Sequence, residues 1–147
     1  MIEKEEQSKK ENMQFISEIR VRFNETDALG IVWHGNYIKY FEDGREAFCR
    51  ENQISYLDVQ KNGLATPIIK SVCEHKLPLK YGDVAKIETT YIDSAAAKMI
   101  FRYRVFNDKN ELVCIGETIQ VFTTLEGELQ LNIPDFILDW KRKKGLF

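Results

Sequence analysis

A chain of 147 residues, 44% hydrophobic and 30% charged, is long enough to bury roughly two thirds of the surface its unfolded form exposes, so one domain without covalent staples is expected. A formal net charge of -2 argues against a dedicated nucleic-acid binder, and no apolar run approaches the ~20 residues of a membrane span. Cys49, Cys73 and Cys114 stand far apart without a CxxC pair, so neither a disulfide framework nor a metal site is expected, and a cytoplasmic location fits best.

Residues 1–13 form a charge run without hydrophobic periodicity and read as a tail, leaving residues 14–147 as a single domain. From Phe15 the pattern alternates: Phe15, Ser17, Ile19, Val21 and Phe23 share one face, which predicts a first strand. The segment 24–35 has two glycines and no continuous period, as a loop does. Beyond it Tyr37, Ile38, Tyr40, Phe41, Gly44, Ala47, Phe48 and Cys49 cover an arc of roughly 200° at helical spacing, so this helix must be wrapped by other structure. Gly44 within it costs helix propensity, and its expected use is a close backbone approach to a neighbour.

A short helical turn is expected over 56–61. Four β runs then follow, 66–79, 84–93, 98–107 and 111–124, separated by breaks short enough to make neighbouring strands antiparallel. Pro134 opens a last helix carrying Phe136, Ile137 and Trp140, with Lys141 to Lys144 placed to complement its negative pole. The order β-α-β-β-β-β with one very apolar helix predicts an α+β fold, an antiparallel sheet curling around a central helix.

Chemistry concentrates in the stretch from Phe23 to Tyr37, where a carboxylate, a histidine and two glycines lie in a loop feeding the apolar helix. On the residues alone Asp27 reads first as a turn or cap residue, and second as a partly desolvated reactive group. In the second reading the open N–H groups of the helix start would hold a developing oxyanion while Asp27 acts on water or on an acyl carbon. A thioester suits such equipment, because a departing thiolate needs little protonation. Glu25 is expected to be solvated, His75 to be a surface or sheet-face residue, and Tyr37, Tyr40 and Phe41 to be core residues, with Tyr37 and Trp33 placed to line an acyl pocket.

The run T-D-A-L-G-I-V-W-H-G-N-Y resembles the D-x-x-G-[IV]-V-x-x-x-x-Y signature of the 4-hydroxybenzoyl-CoA and YbgC-like acyl-CoA thioesterases. The similarity continues through F-E-D-G-R-E-A-F, Thr66-Pro67-Ile68 and the bend at 77–83. It implies a hotdog fold, a five-stranded antiparallel sheet around the central helix followed by a C-terminal helix. It also implies an acyl thioester hydrolase with Asp27 and His34 as catalytic residues and the backbone N–H groups of His34 and Gly35 as the oxyanion site. Trp33, Tyr37, Thr66 and Lys98 would contact substrate, Thr66 from a partner subunit. No cofactor or metal is implied beyond the coenzyme A of the substrate; the implied partners are acyl-CoA or an acyl carrier protein and further copies of the chain, as a homodimer or homotetramer.

Two departures stand out. Phe23 occupies a position that often carries tyrosine, and Ala95-Ala96-Ala97 replace a basic cluster that grips coenzyme A phosphates, leaving Lys98 nearby. A hotdog hydratase or dehydratase and a non-catalytic acyl-thioester binding module are the alternative functions. The first would interconvert enoyl and hydroxyacyl thioesters without releasing thiol, and the second would bind without turnover.

Overall fold

A computed structural model describes residues 13–146; most of the expected tail lies outside the described residues. The tail ends earlier than expected, because Met13 is buried in the core and its carbonyl accepts the Tyr91 N–H at 2.9 Å. Strands β1 (Gln14–Arg20), β3 (Ile68–His75), β4 (Val84–Ile92), β5 (Lys98–Phe106) and β6 (Leu112–Val121) form one antiparallel sheet in the order β1-β4-β5-β6-β3. Helix α1 (Asn36–Glu51) lies against its inner face, followed by the short α2 (Tyr56–Lys61). The two-residue strands β2 (Leu64–Ala65) and β7 (Thr123–Thr124) pair beside the main sheet, and α3 (Asp135–Lys143) closes the fold. This is the hotdog arrangement, and among the described residues no helix is long and apolar enough to cross a membrane.

The wide apolar arc of α1 meets the sheet as its pattern requires, with Tyr40, Phe41 and Phe48 fully buried against Ile87, Phe101 and Tyr103. Gly44 is what lets the backbones approach: a Cβ there would sit 2.5 Å from Thr89 Oγ1 and 2.6 Å from Ile87 Cγ2. Across the core the Phe41 ring lies over Gly116 of β6 and stacks on Tyr103 at 4.6 Å.

Three expectations need correction. The alternation of β1 stops at Val21. The chain then turns through a 3-10 segment at Phe23–Glu25, so Phe23 is 76% exposed and packs edge-on against Tyr81 at 5.8 Å. The run 66–79 holds a single shorter strand, β3, which begins only after Pro67, a residue without an N–H for a ladder, and ends at His75, while β2 precedes the run. The run 111–124 divides at Phe122, where β7 leaves the sheet to pair with β2. Lys141 lies in the last turn of α3, as expected, and is buried there: it is 2% exposed, and its Nζ reaches Asp93 Oδ1 at 2.9 Å and donates to the Ser94 carbonyl at 2.8 Å.

All three cysteines are free thiols. Burial pushes the Cys49 thiol up to about 12 and raises that of Cys114 as well, and both side chains are shielded in the core. At pH 8 neither thiol is expected to react with Ellman's reagent until the protein is unfolded, which a titration with and without denaturant checks.

Candidate active site

Asp27 sits in a tight hairpin that precedes α1. Thr26 and Val32 bridge its arms, the Asp27 N–H donates to the Ile31 carbonyl at 2.8 Å, and Gly30 supplies the turn at φ +77. The Asp27 Oδ1 accepts the Leu29 N–H at 2.8 Å, an Asx turn that holds the carboxylate in place. Its other oxygen has no protein partner among the described residues, so one half of the Asp27 carboxylate shapes the loop while the other is open.

The returning arm delivers the chain to α1. Val32 is buried and its N–H donates to the Leu79 carbonyl at 2.8 Å, docking the hairpin on the segment that follows β3. The Trp33 N–H donates to the Glu25 carbonyl at 2.9 Å, and the same carbonyl accepts the Asn36 Nδ2 at 2.8 Å. Gly35 takes the helix N-cap position without any side-chain cap, and the His34 and Gly35 N–H groups have no acceptor among the described residues. Two consecutive open N–H groups at the positive pole of a 16-residue helix can receive an oxyanion.

Aromatic side chains surround this helix start. The Trp33 ring covers Gly35 and lies 4.9 Å from the His34 ring, which meets His75 edge-on at 6.4 Å. His75 also packs against Tyr37 at 5.1 Å. His75 pairs with Cys114 at the end of an edge strand, on the sheet face toward α1, and remains exposed, as a surface or sheet-face residue was expected to be. Tyr37 is buried and its hydroxyl accepts the Leu79 N–H at 3.2 Å; burial pushes its ionisation up, keeping the phenol neutral.

Within one chain the expected site residues separate into two groups. Asp27, Trp33, His34, Gly35 and Tyr37 belong to the hairpin and the first turn of α1. Thr66 instead lines a groove of about 800 Å³ with Arg45, Cys49, Met99 and Gln120, a groove that shares no residue with the 27–37 segment. Lys98 opens β5 as an exposed side chain, beyond the turn that contains Ala95 to Ala97.

Glu25 was expected in solvent and is 5% exposed. The 3-10 turn swings it under α1, where Tyr40 reaches it. No sequence pattern announces this placement, since Glu25 falls in the segment read as a loop and its partner Tyr40 stands 15 residues later on the apolar arc.

The contact between Trp33 and Gly35 gives a simple test. Gly35 has an ordinary helical backbone at φ -66, so an alanine there is unstrained and acts only by pushing the Trp33 ring aside. Gly35→Ala is expected to shift tryptophan fluorescence and raise KM several-fold with little change in thermal unfolding. Unaltered fluorescence and KM would show that the ring does not shape the site.

The thioesterase-like superfamily matches residues 21–141 of the chain. YneP of Bacillus subtilis, which bears a provisional acyl-CoA thioesterase name, is 37% identical over 84% of this chain and 89% of its own length. The acyl-CoA thioester hydrolase YbgC of Escherichia coli is 26% identical over 70% of this chain and 77% of its own. Among solved structures, the DHNA-CoA thioesterase from Staphylococcus aureus superposes with a TM-score of 0.80 at 26% identity, covering 90% of this chain and 92% of that one.

Proposed function

We propose, from the premise that this chain belongs to the thioesterase-like superfamily, that it hydrolyses acyl-CoA thioesters to a free carboxylic acid and coenzyme A. The observation that carries this reading is the unpartnered Asp27 oxygen in a hairpin that runs directly into the open His34 and Gly35 N–H groups. The thioester carbonyl oxygen is held by those two donors, and its carbon is attacked either by Asp27 itself or by a water whose proton Asp27 accepts. The C–O bond forms as charge moves onto the held oxygen; collapse of that intermediate breaks the C–S bond and expels the thiolate. If Asp27 attacks directly, water then hydrolyses the mixed anhydride and regenerates the carboxylate. The His34 ring, exposed beside the donors, contacts the substrate, and Trp33 and Tyr37 flank its acyl end.

Thr66 joins this site from a second copy of the chain, and Lys98 contacts the substrate. Strand β3 supports that assembly: it is hydrogen-bonded to β6 on one side only, and Ile68, Ile69 and Val72 are exposed along it. Two copies pairing there would continue one sheet across a homodimer, and a homotetramer would join two such dimers. The lack of a basic cluster at Ala95 to Ala97 leaves an acyl carrier protein as a second donor beside coenzyme A, both of them cytoplasmic.

A thiol-release panel crossing aliphatic and aromatic acyl groups with coenzyme A and carrier-protein donors tests this reading. Release of thiol from acyl-CoA is expected. Interconversion of an enoyl and a hydroxyacyl thioester without thiol release, or binding without any turnover, would replace it.

A further inference from the structure

A buried carboxylate is costly unless its oxygens are satisfied, and an apolar side chain of similar size would fill the same space without that cost. Glu25 is such a carboxylate. Its Oε1 accepts the Arg22 N–H at 2.8 Å and the Tyr40 hydroxyl at 3.2 Å, while Oε2 lies 3.5 Å from Lys39 Nζ. Lys39 is half exposed, so that ion pair contributes little, and the two hydrogen bonds to Oε1 dominate. Burial, followed by the Glu25 charge, pushes the ionisation of Tyr40 up, so its hydroxyl remains a donor.

The main chain of the same residue does separate work. Its carbonyl accepts both the Trp33 N–H and the Asn36 side chain. The side chain therefore grips the second turn of α1 through Tyr40, and the carbonyl grips the last residue before His34 and the first residue of α1. Asp27 lies two positions further along. A small shift of the Glu25 backbone would move the carboxylate and the N–H pair relative to each other.

We infer that Glu25 is a positioning residue: its buried side chain clamps the Asp27 hairpin to α1 and so sets the distance between Asp27 and the His34 and Gly35 N–H groups. The inference rests on the proposed role of Asp27, and it makes the geometry of Glu25 matter more than its charge. Glutamine retains an Oε1 acceptor for both Arg22 and Tyr40, whereas alanine retains neither.

The test measures kcat and KM on an acyl-CoA that the wild type cleaves, together with amide hydrogen exchange at Asp27 and Trp33. Glu25→Ala is expected to lower kcat by about 10- to 100-fold with KM nearly unchanged, the size of effect that a displacement of order 1 Å produces. Glu25→Gln is expected to restore most of kcat, and Tyr40→Phe to lose about tenfold. Wild-type kcat in Glu25→Ala, or a Glu25→Gln variant as poor as the alanine, would overturn the inference. If Glu25→Ala fails to fold, Tyr40→Phe decides: a kcat loss supports the clamp and wild-type kcat overturns it. If the wild type releases no thiol from any acyl-CoA, the proposed function fails instead. Hydrogen exchange then judges the clamp alone, faster exchange of the Trp33 amide in Glu25→Ala or Tyr40→Phe supporting it and unchanged exchange overturning it.

Discussion

Asp27→Asn is expected to lower kcat by about two to four orders of magnitude, the range associated with loss of a positioned acid-base group, while leaving the unfolding midpoint almost unchanged. The second half of that expectation follows from the Asx turn. Asn retains an Oδ1 that accepts the Leu29 N–H, so the hairpin and the approach to α1 survive. What disappears is the charge and basicity of the oxygen that has no protein partner. Asp27→Ala removes the turn as well and is expected to lose activity together with some stability. Comparing the two by stopped assay and thermal melt separates the proposed reactive role of the carboxylate from its role in the loop. Equal stability losses in both variants would show that the Asx turn depends on more than the Oδ1 acceptor.

The largest stability effect is expected at Phe41. Its ring is fully buried, stacks on Tyr103 at 4.6 Å and an interplanar angle of 8°, and lies over Gly116. Phe41→Ala should destabilise the fold by about 3–5 kcal/mol in urea denaturation, combining lost transfer energy with an unfilled cavity. Gly116→Ala should cost about 1–3 kcal/mol for the opposite reason, since its Cβ would enter the space of the ring. The two changes meet at one place, so the double variant should be less destabilised than the sum of the singles. Strict additivity would mean that the ring and the glycine are not packed against each other.

Periodicity carries the architecture where one face of an element is buried by distant parts of the chain. The arc of α1 is too wide for a surface helix, and Gly44 within it is where the sheet comes close. Local pattern fails where the chain changes direction. Phe23 continues the parity of β1 by number, yet the 3-10 turn carries it outward. Pro67 was a legible break in the run from Thr66 to Leu79, whereas the exit of β7 at Phe122 depends on pairing with a strand nearly 60 residues earlier. Buried charges were the least legible feature. Glu25 depends on Tyr40 and on a turn, and Lys141 on Asp93 and Ser94 in the turn after β4, 47 residues before it in the case of Ser94.

The site shows the same division. Asp27, His34 and Gly35 are recognisable together because the hairpin is local, and a short motif encodes both its turn and the uncapped helix start. That one Asp27 oxygen is spent on the turn and that Glu25 joins the hairpin to α1 are matters of three-dimensional packing. Neither residue type nor spacing distinguishes a solvated glutamate from a buried one when its partners are a tyrosine and a backbone N–H.

The most direct test of the account quantifies free acid and thiol from the same acyl-CoA reaction, run in parallel on wild type and folded Asp27→Asn. The account predicts equimolar acid and thiol from the wild type and near-complete loss of both in the variant. Substrate that is bound or isomerised without thiol release, or an Asp27→Asn rate equal to that of the wild type, would contradict it.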